Sequence, residues 1–387
     1  MAAQRTVDQH IAVFGEAGSG KTVLVSSFYG QAQEQPDLDW PYTVTADKQR
    51  QGTKLYQNYL GMRNSSQAPQ PTKFEANSYA FSVKLRNQAE ADKNMPFDVF
   101  RLIWHDYPGE WFEEDPSGEE EEKRRIDTFR SLLKSDIAFL LVDGQRLLDN
   151  AGEEERYLKS VFTNFSNGLL ALREDILIDG ESFEQFPRIW IIALSKADLL
   201  PDLDVVGFRD LVIEKAAGEV IRLSEVISGF VTNNEALDVG EDFILLSSAK
   251  FEAGTIEVGE RVGVDLVLPL AAMLPLERHT KWSGAKLLPG KAAEKLFQVG
   301  ALGAGAVAAA MLGRKMWFGK MAIIQGVISA FLSKDTVDDA VNLVGEKLRE
   351  VNADAVEKHQ HLTAMLTGFK MALEDGEKRR IFLRSRR

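Results

Sequence analysis

Residues Ile11 to Thr22, I-A-V-F-G-E-A-G-S-G-K-T, constrain this chain more than any other stretch. Four apolar residues, Ile11 to Phe14, predict a buried strand that runs into Gly15-x-x-x-x-Gly20-Lys21-Thr22, and Val23 to Phe28 reads as the start of a helix. Strand, glycine-rich turn and helix in that order build a cradle for an anion. Glycines let successive backbone N–H groups curl inward, and the helix turns its positive end toward them. The backbone of Gly15, Glu16, Ala17, Gly18, Ser19 and Gly20 is the candidate phosphate cradle. Lys21 is placed to reach β- and γ-phosphates, and Thr22 offers a hydroxyl to Mg²⁺. A tight glycine turn is the purely structural alternative, and the flanking strand and helix argue against it.

Charge and composition narrow the class. A formal net charge of -12 argues against nucleic acid as a partner of the whole chain. The absence of cysteine excludes disulfides and thiolate metal sites, and five scattered histidines make no zinc spacing. The opening M-A-A-Q-R-T-V-D-Q-H has no apolar core, so no secretory signal is expected and a cytoplasmic location is the default.

Along the chain, Lys21 to Gln33 reads as a helix, Asp37 to Val44 as a loop, and Lys48 to Tyr59 as a second helix. The turn-rich Asn64 to Thr72 is a loop. Phe74 to Leu85 and Phe97 to His105 alternate as strands and are expected to pair as a hairpin. An acidic run, Glu113 to Glu122, precedes an amphipathic stretch with Ile126, Phe129, Leu132 and Leu133 on one face. Asp136 to Asp143 and Ile189 to Leu194 are apolar enough to be buried on both faces of a sheet. Tyr157 to Leu177 and Phe208 to Phe230 are helical by period, and Asp242 to Leu246 is a last strand. Strands alternating with helices specify an α/β fold with a mostly parallel, doubly wound sheet. Ligands bind such sheets beyond the carboxyl ends of the strands.

Three further strings sit at those ends. They are Asp106-Tyr-Pro-Gly109, Ser195-Lys-Ala-Asp198 and Ser248-Ala-Lys250. Alone, the first is an ordinary turn, the second could be a helix cap and the third signals nothing. In order after the glycine-rich turn, over roughly residues 8–280, they resemble the motif set of Ras-like P-loop GTPases. The resemblance implies a GTP/GDP site with Mg²⁺. In it Asp106 holds the metal through water, the Gly109 amide senses the γ-phosphate, and Asp198 takes the two N–H groups of guanine. Lys196 packs along the base, the Ala249 amide meets the guanine carbonyl oxygen, and Ser195, Ser248 and Lys250 complete the loops. Ser195 stands where the family usually has Asn or Thr. Glu110 stands where Ras-like enzymes place a Gln that orients the attacking water, so slow hydrolysis without a partner is expected. The equal alternative is that Glu110 turns away and only anchors its loop. Thr72 is the candidate for the first switch, meeting both Mg²⁺ and γ-phosphate, with Thr45 and Thr53 as rivals. The helical insertion at about 45–72 and D-Y-P-G-E-W at 106–111 resemble the bacterial YcjX-like and double-GTPase branch, some families of which are linked to stress or defence.

A P-loop GTPase domain is therefore expected over 1–280 and an all-helical region over 281–387, joined by the linker K-W-S-G-A-K-L-L-P-G. Within the second lie a Gly/Ala-rich hairpin at 298–332, one long amphipathic helix or two packed ones at 335–376 and a basic tail at 377–387. The hairpin's apolar stretches are too short to span a bilayer, so it is read as buried against the GTPase domain or another subunit, with membrane insertion or an oligomer contact as alternatives. The tail is read as a solvated terminus. The functional expectation is a GTP-hydrolysing switch that changes how the helical region meets a protein partner or a second copy. A scaffolding subunit with static nucleotide, a membrane-associating GTPase and an ATPase are the competing readings.

Overall fold

The computed structural model describes residues 6–34, 42–69, 77–85, 99–112, 116–177, 188–231, 237–252, 255–284 and 368–385. The apolar runs become strands as expected: β1 (Thr6–Phe14), β4 (Val99–Asp106), β5 (Ile137–Asp143), β6 (Ile189–Ser195) and β7 (Asp238–Leu246). They lie parallel, and three antiparallel strands complete the sheet: β2 (Tyr42–Ala46), β3 (Asn77–Leu85) and β10 (Phe382–Leu383). The order is β10-β7-β6-β5-β1-β4-β3-β2. A separate two-stranded hairpin, β8 (Lys250–Glu252) and β9 (Thr255–Glu257), follows β7.

The helices are α1 (Lys21–Glu34), α2 (Gln49–Ser65), α3 (Glu119–Leu132), α4 (Gly144–Asp149), α5 (Glu154–Ala171), α6 (Arg173–Ile176), α7 (Val205–Ser228) and α8 (Val267–Gly284). Every residue from Ile11 to Phe14 is fully buried, so helices cover both faces of β1. Phe14 stacks on Trp190 at 5.2 Å and meets Phe165 of α5 edge-on at 5.1 Å, while α8 packs against the same strand. Asp204 caps α7, accepting from the Val206 and Gly207 amides.

Several expectations are corrected. Tyr42–Ala46 is the edge strand β2, not part of a loop; a five-residue strand is too short to stand out from its Pro-rich approach, and pairing with β3 defines it. The proposed linker begins inside α8, which continues to Gly284. The hairpin at 298–332 and most of the 335–376 stretch lie outside the described residues. Residues 368–378 are helical, with Phe369 and Leu373 buried and Phe369 edge-on to Tyr42 at 5.4 Å. Among the described residues no helix is long and apolar enough to cross a membrane.

The expectation of a solvated tail is corrected in part: residues 377–380 are exposed, but two of the tail's cations meet carboxylates at the cap of α7 and on α8. Arg380 pairs with Asp204 at 2.7 Å and Arg384 with Glu277 at 2.8 Å, while the Leu245 amide donates to the Ile381 carbonyl and β10 extends the sheet beyond β7. Beneath it, the buried Asp242 accepts from Arg278 at 2.9 Å and from the Ser385 amide at 2.7 Å. Burial pushes the Asp242 carboxyl up, and the Arg278 guanidinium opposes that shift.

Arg278→Ala strips Asp242 of its nearest cation in a buried site. The expected loss is about 3–5 kcal/mol, the cost typical of breaking a buried pair, read as a lower urea midpoint. The β1–β4 pair carries stacked imidazoles, His10 on His105 at 5.4 Å. Burial first, and the His10 charge second, push His105 down to about 4. On acidification the unfolded chain takes up this proton first, near the ordinary pKa of about 6.5. Stability present above that pH is therefore lost as pH falls toward 4. The loss from this group is up to about 3 kcal/mol. Denaturant midpoints between neutral pH and pH 4 are expected to fall more steeply for the wild-type chain than for His105→Gln; parallel curves would contradict this assignment.

Candidate functional site

The turn after β1 takes the cradle shape because Gly18 and Gly20 have φ of +76° and +88°, conformations that other side chains rarely adopt. Lys21 begins α1 and curls back, its Nζ donating to the Gly15 carbonyl at 2.7 Å and the Glu16 carbonyl at 3.0 Å. Its ammonium also lies 5.2 Å from the Tyr107 ring centroid.

Parallel pairing of β1 with β4 brings the Asp106 turn against this loop. The Gly15 amide donates to the Tyr107 hydroxyl at 3.0 Å. Gly109 packs so closely that a Cβ there would lie 2.3 Å from the Ala17 nitrogen, so no other residue fits without moving one of the two loops. Trp111 is buried beneath the turn, its carbonyl accepting from Arg125 at 3.1 Å and its ring meeting Phe129. Glu110 is half-buried on the cavity wall, with no hydrogen bond or ion pair to a described residue.

Asp106 is almost fully buried. The Thr22 hydroxyl donates to its Oδ2 at 3.0 Å, while Oδ1 has no hydrogen-bond partner among the described residues. Burial raises its pKa, countered by Lys21, the Thr22 hydroxyl and the Tyr107 amide. A buried carboxylate oxygen without a donor, beside a threonine hydroxyl, is a hard all-oxygen set. It fits Mg²⁺, which uses one or two carboxylates together with substrate phosphates. Among the described residues no group of three or more acidic or histidine side chains gathers as a metal cage.

On the far side of the cavity, Lys196 adopts φ +52° and its Nζ pairs with buried Asp143 at 2.8 Å. The Ser195 hydroxyl donates to the Val142 carbonyl at 3.3 Å. Asp198 is aimed by two donors, the Ser247 hydroxyl at 2.6 Å and the Phe251 amide at 3.3 Å. The loop after β7 is tied to α1, where the Ser27 hydroxyl donates to the Ser248 carbonyl at 2.8 Å.

A cavity of about 490 Å³ joins these parts. Residues 17–22, Gly109, Glu110, Ser195, Lys196, Asp198 and Ser248 all line it. Asp106 sits behind Thr22. Gly15 and Glu16 lie off the wall, Glu16 paired with Arg146 at 3.0 Å. Ala249 and Lys250 are also off it. Ala249 is buried with Tyr59, Met62 and Val258, and Lys250 turns outward to Glu252 at 2.9 Å, because the chain enters β8 there. Thr72 lies outside the described residues, though Ala68 and Pro69, just before it, line the cavity. The rival Thr45 donates to the Ser82 carbonyl of β3, and Thr53 is exposed on α2. Tyr107, Gln145, Ser247 and Phe251 are wall residues that the motif reading missed. Tyr107, Ser247 and Phe251 stand within or beside its strings, whereas Gln145 has no local signal.

A family model for Double-GTPase 2 matches residues 9–226, which hold the phosphate loop, the Asp106 turn and the Ser195 to Asp198 string. No curated protein matches the chain. The family match takes in more than half of the 387 residues and agrees with a mostly parallel α/β sheet. The chain therefore belongs to the Double-GTPase 2 family of P-loop GTPases, whose domain binds guanine nucleotide.

Proposed function

We propose that the chain binds GTP with Mg²⁺ in the 490 Å³ cavity, hydrolyses it slowly, and uses the two nucleotide states as a switch. One observation carries this reading: the phosphate loop, the Glu110 turn and the Asp198 carboxylate open onto the same cavity. The amides of residues 17–22 and the Lys21 ammonium bind the phosphates, and Asp198 accepts the two N–H groups of guanine. Thr22 and Asp106 hold the metal, which when bound supplies positive charge against the phosphate oxygens. Thr72 is proposed as the first-switch residue.

Glu110 lines the cavity with no hydrogen bond or ion pair among the described residues, which favours the inward orientation over a loop-fixing role. A carboxylate beside a γ-phosphate is repelled and orients water poorly, so turnover by the isolated chain is slow. The readout runs through β7. Its carboxyl end leads to Ser247 and Ser248, and its edge pairs with β10. Residues 285–367 are thus carried between two segments held to the GTPase fold, α8 and residues 368–385. Their partner is a protein or a second copy of the chain.

Asp198→Asn tests the base assignment, since an amide presents a donor where guanine also donates. Its GDP affinity is expected to fall roughly 10- to 100-fold, as loss of charge-assisted hydrogen bonds implies, with xanthine diphosphate gaining. Competition against a fluorescent GDP derivative measures both, and an unchanged preference for guanine contradicts the reading. Glu110→Gln is expected to raise single-turnover GTP hydrolysis several-fold; a rate at or below wild type contradicts the repulsion argument.

A further inference from the structure

Phe251 is the one large hydrophobic residue exposed on the β8–β9 hairpin among the described residues, at 38% of its surface, and it lines the nucleotide cavity. No described aromatic ring packs against it. Its own backbone amide donates to Asp198 Oδ2, so the ring is rooted one bond from the carboxylate proposed to read the base. Leu199 and Lys196 line the same cavity.

The hairpin holding Phe251 is firmly based. Ile256 of β9 pairs with Phe251 across the hairpin and packs, with Val258, on Tyr59 and Met62 of α2. An apolar ring left in water on a braced hairpin, beside a hydrogen-bonding carboxylate, is the arrangement that binds a flat heterocycle. The carboxylate reads its edge, and the ring covers its face.

We propose that Phe251 is a base-stacking residue of the nucleotide site. The proposal rests on the guanine-nucleotide reading given above and adds a contact to the base face, which Asp198 does not supply. Stacking is indifferent to ring substituents, so Phe251 adds affinity for purines in general, and Asp198 adds the choice of guanine. Closing a base under this ring also ties nucleotide binding to α2, the segment that leads to Ala68 and Pro69 of the cavity lining.

The test measures binding of GDP and inosine diphosphate to the full chain by calorimetry, for wild type, Phe251→Ala and Phe251→Tyr. Alanine keeps the backbone amide that holds Asp198, and truncation of an exposed ring leaves the core intact. Phe251→Ala is expected to weaken both nucleotides by a similar factor, roughly 10- to 100-fold, as loss of one base–aromatic stack implies, and Phe251→Tyr to bind as wild type does. Wild-type affinity in Phe251→Ala overturns the proposal. So does a loss much larger for GDP, which offers Asp198 two N–H groups, than for inosine diphosphate, which offers it one, since that would mean that the aim of Asp198 changed. A wild-type chain that binds neither nucleotide would instead overturn the guanine-nucleotide reading, and the stacking role with it.

Discussion

Parallel pairing of β1 with β4, with Ala12 opposite His105, is the constraint from which the site follows. It ends two adjacent strands at the same level and forces their outgoing loops together. The Gly15 amide then reaches the Tyr107 hydroxyl, Gly109 closes on Ala17, and the Thr22 hydroxyl meets Asp106. Each contact joins the residue that would touch a phosphate to the turn that would respond to it. A one-residue slip of register would turn Asp106 to the other face of the sheet and leave Thr22 without it.

Charge is concentrated where the sheet can pay for it. Asp106, Asp143 and Asp242 are all nearly inaccessible, and each has a cation or a hydroxyl supplied from a distant part of the chain. Asp143 and Asp242 are balanced by Lys196 and Arg278, and serve structure. Asp106 differs in having one oxygen without a hydrogen-bond partner among the described residues. A buried oxygen of that kind is costly unless a further positive group arrives, which is why it suits a metal bound together with phosphate.

The end of the chain belongs to the same body as its beginning. Helical residues 368–378 set Phe369 against Tyr42 at one edge of the sheet, and β10 closes the other beside β7. Since β7 also feeds the loop that aims Asp198, the nucleotide site and the last residues share one strand.

Elements governed by neighbouring residues were legible in the sequence. Ile11 to Thr22 specified strand, turn and helix because apolar runs and glycine dihedrals act locally, and the buried strands β5 and β6 announced themselves by unbroken hydrophobicity. The order of the loops followed, and with it the expectation of one cavity for Lys21, Asp106 and Asp198, of which Lys21 and Asp198 line the wall while Asp106 lies behind Thr22. Tertiary structure alone decided what depends on partners far along the chain. Ala249 went to the α2 cluster while Ser247 and Phe251 took its place at the cavity, since hairpin packing, not motif spacing, sets that register. Arg380 and Arg384 read as a solvated run until Asp204 and Glu277 stood opposite them, because a charge pattern carries no record of the carboxylates it will meet.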